Sequence, residues 1–148
     1  WVSTEYMLYC YDIYSETLLP FRHIGNKNAL IDRIESMTRF FALHVDETKL
    51  YVGTNQGIIA YNYVNSSWEL IADPTVYNNE FVSELNVYKR QLFIITDRGL
   101  TRMHMEKQFL KQYNYPFIGN VNDFYVSGDR LWLATDNGLI QFSWKKDL

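Results

Sequence analysis

The chain has 148 residues, 47% of them hydrophobic, 17% aromatic and 21% charged, with a net charge of −3. That is enough chain for one domain with a sizeable core, and the hydrophobic share is that of an ordinary globular protein, favouring neither disorder nor a coiled coil. No run of like charges forms the basic face that a nucleic-acid partner requires, and the abundance of Tyr, Phe and Trp favours strands.

Taken from the amino terminus, the first short apolar segment is Trp1-Val2-Ser3-Thr4, and it recurs. Trp1–Leu8, Tyr51–Ile58, Phe93–Leu100 and Trp132–Leu139 superimpose without gaps, their starts 50, 42 and 39 residues apart. The shared pattern is aromatic, apolar, small or apolar, Thr, two mostly polar residues, Gly, then Leu or Ile. Leu50, Leu92 and Leu131 precede the last three copies. Upstream, Leu43, Leu85 and Phe124 and then Val45, Val87 and Val126 hold equivalent places, separated from the next Leu by a polar turn. Downstream, each copy runs to Tyr11, Tyr61, Met103 or Phe142, turns, and restarts at Leu18, Trp68 or Phe109.

Each unit therefore reads as four short strands joined by tight turns. A period near forty residues is that of a propeller blade. Leu50-Tyr51-Val52, Leu92-Phe93-Ile94-Ile95 and Leu131-Trp132-Leu133-Ala134 are continuous apolar runs, which call for cover on both faces of the sheet. The expected fold is all-β, a β-propeller fragment of about three and a half four-stranded antiparallel blades. Its units lie at 1–21, 38–71, 81–112 and 120–148, with 22–37 as a longer connection between blades. The chain is expected to begin in the second strand of one blade and to stop after the third strand of another. It would then be an excised segment that needs the remaining blades, or a second copy of itself, as partners.

Gly57, Gly99 and Gly138 share one place in the repeat, where a type I turn followed by a positive-φ residue closes the hairpin; the first copy has Met7 there and should turn differently. In the connection, Asn28 is placed to cap a short helix. Leu30, Ile31, Ile34 and Met37 would lie on one face, with Asp32, Arg33 and Glu35 opposite. Connecting loops of propellers often meet ligands, so Arg22, His23 and Arg33 are candidates for contact with an anion or a sugar. Tyr51, Phe93, Trp132, Trp68 and Phe124 hold repeat-equivalent places and are expected in the core. Tyr6, Tyr115 and Trp144 fall outside the pattern and are candidate surface platforms for stacking.

Catalytic chemistry is not expected. His23, His44 and His104 lack metal-ligand spacing, no nucleophile elbow or phosphate-cradling loop occurs, and Asp97 and Asp136 sit at turn positions. Cys10 is the only cysteine, so neither an internal disulfide nor a Cys metal site can form. Asn65-Ser66-Ser67 fits a glycosylation sequon within a hairpin turn. No cofactor, metal, nucleic acid or membrane contact is expected of this segment, which has no apolar stretch long enough to span a bilayer.

The strings Leu50-Tyr51-Val52-Gly53-Thr54-Asn55-Gln56-Gly57-Ile58 and Leu131-Trp132-Leu133-Ala134-Thr135-Asp136-Asn137-Gly138-Leu139 resemble the two-component-regulator propeller repeat. The resemblance covers nearly the whole chain. It departs from the family pattern at the turns Asp46–Lys49 and Lys89–Gln91, which lack Gly, and at Ile95, where the family prefers Gly. It implies an extracytoplasmic, periplasmic or extracellular sensor region of a membrane-anchored hybrid histidine kinase. Such a region would take oligosaccharides as ligand and relay to a kinase outside these residues. The alternative is a structural or protein-interaction propeller of a cell-surface or secretion-associated protein.

Overall fold

A computed structural model of the chain describes residues 1–35, 39–107 and 109–147. Among them, fourteen strands form four antiparallel sheets of three or four strands, with almost no helix. This is the fold class of a β-propeller fragment. The chain divides into two compact units, Trp1–Val82 and Ser83–Leu148.

In the first unit, β1 (Val2–Thr4), β2 (Met7–Asp12) and β3 (Thr17–Pro20) make a three-stranded sheet. The helix α1 (Ala29–Glu35) follows. Then β4 (Phe40–Val45), β5 (Lys49–Thr54), β6 (Gly57–Asn62) and β7 (Ser67–Ala72) form a four-stranded meander. One core joins Leu8 of β2, Phe21 after β3, Ile31 and Ile34 of α1, and Leu50, Val52, Ile59, Tyr61 and Trp68 of the second sheet. The consecutive residues Leu50, Tyr51 and Val52 are all buried, so both faces of β5 are covered, as an unbroken apolar run requires. Burial of each such side chain contributes about 1.5–3 kcal/mol relative to exposure.

The second unit repeats the plan with β8 (Val82–Tyr88), β9 (Gln91–Thr96), β10 (Gly99–His104) and β11 (Leu110–Tyr113) as one meander. It ends in a three-stranded sheet of β12 (Val121–Ser127), β13 (Arg130–Thr135) and β14 (Gly138–Ser143). Its core gathers Phe93, Ile95, Leu100, Tyr113, Ile118, Phe124, Val126, Leu131, Leu133 and Trp144. Trp132, expected in the core, is only half-buried: along β13 Leu131 and Leu133 are buried while Ala134 is exposed, so one face of this sheet remains open.

The hairpins show why Thr belongs to the repeat. The hydroxyls of Thr4, Thr54, Thr96 and Thr135 donate to the carbonyl three residues on, at 3.2, 2.7, 3.4 and 2.9 Å. Three of them accept from the second turn residue, Gln56, Arg98 or Asn137. Thr4 accepts instead from Met7 N–H at 3.1 Å, which is how a copy without glycine closes its turn. Gly57, Gly99 and Gly138 have φ of 122°, 130° and 114°.

At the ends of β2, β6 and β10, the third strands of their units, a side chain caps the next turn. Asp12 Oδ1 accepts from Tyr14 and Ser15 N–H, and Asn62 Oδ1 accepts from Val64 and Asn65. His104 Nδ1 accepts from Glu106 and Lys107 in the same way. Where the family pattern would place glycine, Lys89 and Arg90 both adopt positive φ, 48° and 66°, in the two-residue loop between Tyr88 and Gln91. That backbone is the one a twisted hairpin prefers.

Candidate functional site

The connection after β3 begins with a turn in which Ile24 N–H donates to Phe21 O at 2.9 Å. Phe21 is buried edge-on against Phe40 and Trp68, with ring centroids at 5.3 and 5.7 Å. Asn28 caps α1 by accepting from Leu30 and Ile31 N–H at 3.1 and 3.2 Å, and its amide donates to Trp68 O at 2.9 Å. One residue thus starts the helix and fastens it to β7. Ile31 and Ile34 face the core and Asp32 and Arg33 face solvent; Met37 and the Glu35 side chain lie outside the described residues.

That packing leaves a shallow cleft of about 220 Å3 lined by Arg22, His23, Lys27, Ile31 and Asp32. Arg22 Nε donates to His23 Nε2 at 3.2 Å, so this imidazole presents an acceptor to its neighbour. Two cations, an imidazole and one carboxylate around an open cleft suit a polar or anionic ligand group. Of the three residues expected here, Arg22 and His23 come together. Arg33 lies instead beside Trp68, Glu69 and Leu70, on a separate cleft. Tyr6 is 64% exposed, with the Arg39 guanidinium 5.7 Å from its ring.

In the second unit, Tyr115 stacks on Phe117, centroids 5.5 Å apart at 21°, and the rings are 46% and 67% exposed. They form one wall of a cleft of about 300 Å3 whose other wall is Ile140, Gln141, Phe142 and Ser143 of β14. Trp144, expected as a surface platform, is 3% exposed. Its ring meets Phe93 and Tyr88 edge-on at 5.9 and 6.4 Å, because the chain turns inward at Trp144–Asp147 and drives the indole into the core. The fully buried Arg102 guanidinium sits 5.5 Å from the Phe109 and Trp144 rings and donates to Trp144 O.

Sequence reading missed two features. Phe117 could have been found, since Phe21-Arg22-His23-Ile24-Gly25-Asn26 matches Tyr115-Pro116-Phe117-Ile118-Gly119-Asn120. The two turns close alike, with Ile118 N–H donating to Tyr115 O at 2.9 Å and φ of 76° and 72° at the glycines. The other is a carboxyl pair: Glu84 of β8 and Asp123 of β12 occupy the repeat position held by Ala42 in β4. Burial, then the Asp123 charge and a hydrogen bond with it, push the Glu84 carboxyl up to about 7. Asp136 is held below the usual range by the Asn122 and Asn120 amides, each donating at 2.8 Å. Among the described residues no group of three potential metal ligands gathers, and no helix is long and apolar enough to cross a membrane.

No family model matches the chain, and no curated protein matches it either. Solved structures do. The extracellular domain of the putative hybrid two component system BT3049 from B. thetaiotaomicron superimposes with a TM-score of 0.65 at 17% identity, over 97% of this chain and 21% of that one. The chain shares the fold of the matched fifth of that extracellular domain. The extracellular domain of the putative hybrid two component system BT4673 from the same organism gives 0.65 at 16% identity, over 90% of this propeller fragment and 17% of that chain. PorZ, a bacterial surface component of the type-IX secretion system of Porphyromonas gingivalis, gives 0.52 at 19% identity, over 71% of this fragment and 17% of that chain. The fragment spans about a fifth of the length of these proteins.

Proposed function

We propose that the fragment is a ligand-sensing segment of the extracytoplasmic part of a hybrid two-component sensor, with its output at a kinase outside these residues. The observation that carries this reading is the superposition of nearly the whole chain on the extracellular domain of a putative hybrid two component system. The segment binds rather than catalyses. Its ligand is an oligosaccharide, held at the cleft beside α1 by Arg22, His23 and Lys27, whose donors match sugar hydroxyls and carboxylates. Ligand binding would act by differential affinity for two arrangements of the parent protein, shifting the kinase equilibrium without chemistry in these blades. Isothermal titration of the protein against a broad panel of neutral and acidic glycans tests it. Saturable heat is expected with at least one acidic oligosaccharide, weakened about tenfold or more in Arg22→Ala, since hydrogen bonds to charged groups are worth about 1.5–3 kcal/mol. Flat titrations across the panel would overturn the sugar reading.

The likeness to PorZ favours a second reading, a structural or protein-interaction propeller of a surface assembly. The flanking sequence of the parent gene separates the two: a membrane span followed by histidine-kinase motifs selects the sensor, and a secretion tail selects the alternative.

A further inference from the structure

One end of the second unit gathers cations from four turns. The turn between β8 and β9 carries Lys89 and Arg90, and the turn after β10 carries Lys107. The turn between β12 and β13 leads into Arg130, and the turn after β14 carries Lys145 and Lys146. All of these cations are exposed. The carboxylates of the same turns are Glu106, Asp129 and Asp147. Spread over 89–146, the cations form no run of like charge in the sequence, and the meander assembles them.

Backbone and ring contacts hold the four turns side by side. Met105 N–H donates to Arg90 O at 3.0 Å and Trp144 N–H to Asp129 O at 3.1 Å, which ties together the two turns of each sheet. Between the sheets, Gly128 N–H donates to Tyr88 Oη at 3.0 Å, and the Tyr88 and Trp144 rings stand 6.4 Å apart. Strands lie about 4.8 Å apart within a sheet and stacked sheets about 10 Å apart, so the tips form a grid with about 10 Å between neighbours in each direction. Exposure belongs to the turn itself. Tyr14 and Val64, which hold the place of Lys145 in the first unit, are 93% and 82% exposed.

The arginines of this end are engaged and the lysines are not. Arg90 pairs with Glu106 at 2.9 Å, and Arg130 lies 3.9 Å from Asp129 while donating to Gln141 Oε1 at 2.8 Å. Among the described residues Lys89, Lys107, Lys145 and Lys146 make no ion pair. Lys89 Nζ stands 5.3 Å over the Tyr88 ring and Lys145 Nζ 6.0 Å over that of Trp144. Neighbouring tips lie within about one Debye length at 0.1 M salt, so they act on a charged surface together. The sign reverses at the opposite end of the unit, where Asp97, Asp123 and Asp136 face solvent with Arg98 as the cation. That polarity fixes which end meets an anionic partner.

We propose that this end of the second unit is a docking surface for a bilayer bearing anionic phospholipids. Lysine chemistry decides the partner. Its ammonium is a compact, strongly hydrated point charge suited to phosphate, whereas protein interfaces are enriched in arginine and aromatic residues and depleted in lysine. Here the unpaired cations are all lysines, both arginines have carboxylates of their own, and the Trp144 ring is buried. A two-dimensional grid of tips meets a plane of headgroups at every corner, while a linear polyanion follows one row. The contact is electrostatic and peripheral. It lies in a different unit from the cleft beside α1 and stands or falls apart from the sugar reading.

Cosedimentation of the intact 148-residue protein with lipid vesicles tests the proposal. Binding is expected to vesicles of equal parts phosphatidylglycerol and phosphatidylcholine. It should fall away as salt rises from about 0.1 M to about 1 M, where the Debye length drops to about 3 Å. Each lysine near an anionic leaflet is worth about fivefold in partitioning, so Lys89→Gln combined with Lys145→Gln should weaken binding about 25-fold. Both side chains are on the surface, so the fold survives the change. Arg98→Gln, at the opposite end, removes the same charge as Lys89→Gln alone and should leave partitioning unchanged. Equal losses in these two variants would show a response to net charge only and overturn the proposal. So would equal binding to pure phosphatidylcholine, or no binding to either vesicle. Tighter binding to polyglutamate than to anionic vesicles at matched charge would make the partner an acidic polypeptide and overturn it as well.

Discussion

At the scale of single residues, the repeat assigns roles that residue type alone hides. His104 is a histidine doing the work of Asp12 and Asn62: its Nδ1 accepts two backbone N–H groups of the turn that follows, which fixes the ring by a structural demand. Glu84 is the opposite case, a repeat position at which a polar group replaces Ala42 and meets a second carboxylate, Asp123. An unfolded glutamate ionises near 4.5, whereas Glu84 in the fold holds its proton to about 7. Over that interval the folded state binds more protons than the unfolded one, so stability falls as pH rises through it and levels off above. Melting temperatures recorded from pH 4 to pH 8 should therefore decline less in Glu84→Gln than in the unaltered protein. An equal slope in both would show that the pair does not share a proton.

At the scale of elements, hairpin chemistry was legible in the sequence because a backbone rule selects the residue. Gly57 and Gly138 share the place and the positive φ, yet their surroundings differ. A Cβ on Gly57 would lie 2.6 Å from Ala72 O of β7 and 2.9 Å from Leu70 Cδ1, while one on Gly138 would meet nothing within 4 Å. Both substitutions strain the backbone, by about 1–2 kcal/mol; only the first also pushes on a neighbouring strand. Chemical denaturation should show Gly57→Ala costing at least about 1 kcal/mol more than Gly138→Ala. Helix α1 was legible for a related reason, its Asn28 cap and its Ile31, Ile34 stripe being local signals. That Asn28 also donates to Trp68 O depends on a residue forty positions away, which no local pattern encodes.

At the scale of the whole molecule, equivalent letters end in different environments. Ile58 of β6 and Leu139 of β14 occupy the same repeat position, and they are 0% and 69% exposed. Truncation should report this directly: Ile58→Ala is expected to cost about 2–5 kcal/mol and Leu139→Ala less than about 0.5, read as shifts in the urea midpoint. Similar costs at both places would mean that β14 is covered in solution.

The amino-acid sequence by itself determined the strand plan, because period, turn residues and apolar runs are properties of neighbouring letters. Four aligned copies of an aromatic, an apolar, a small or apolar residue and Thr place the second strands at Val2–Thr4, Lys49–Thr54, Gln91–Thr96 and Arg130–Thr135. Only the tertiary structure decided which aromatics are walls and which are core. Trp144 and Tyr115 both break the repeat, yet one is buried against Phe93 and the other stands open beside Phe117. The reason is physical: burial depends on whether another strand or turn arrives to cover a face, and that is a matter of long-range pairing, not of the residue's own type.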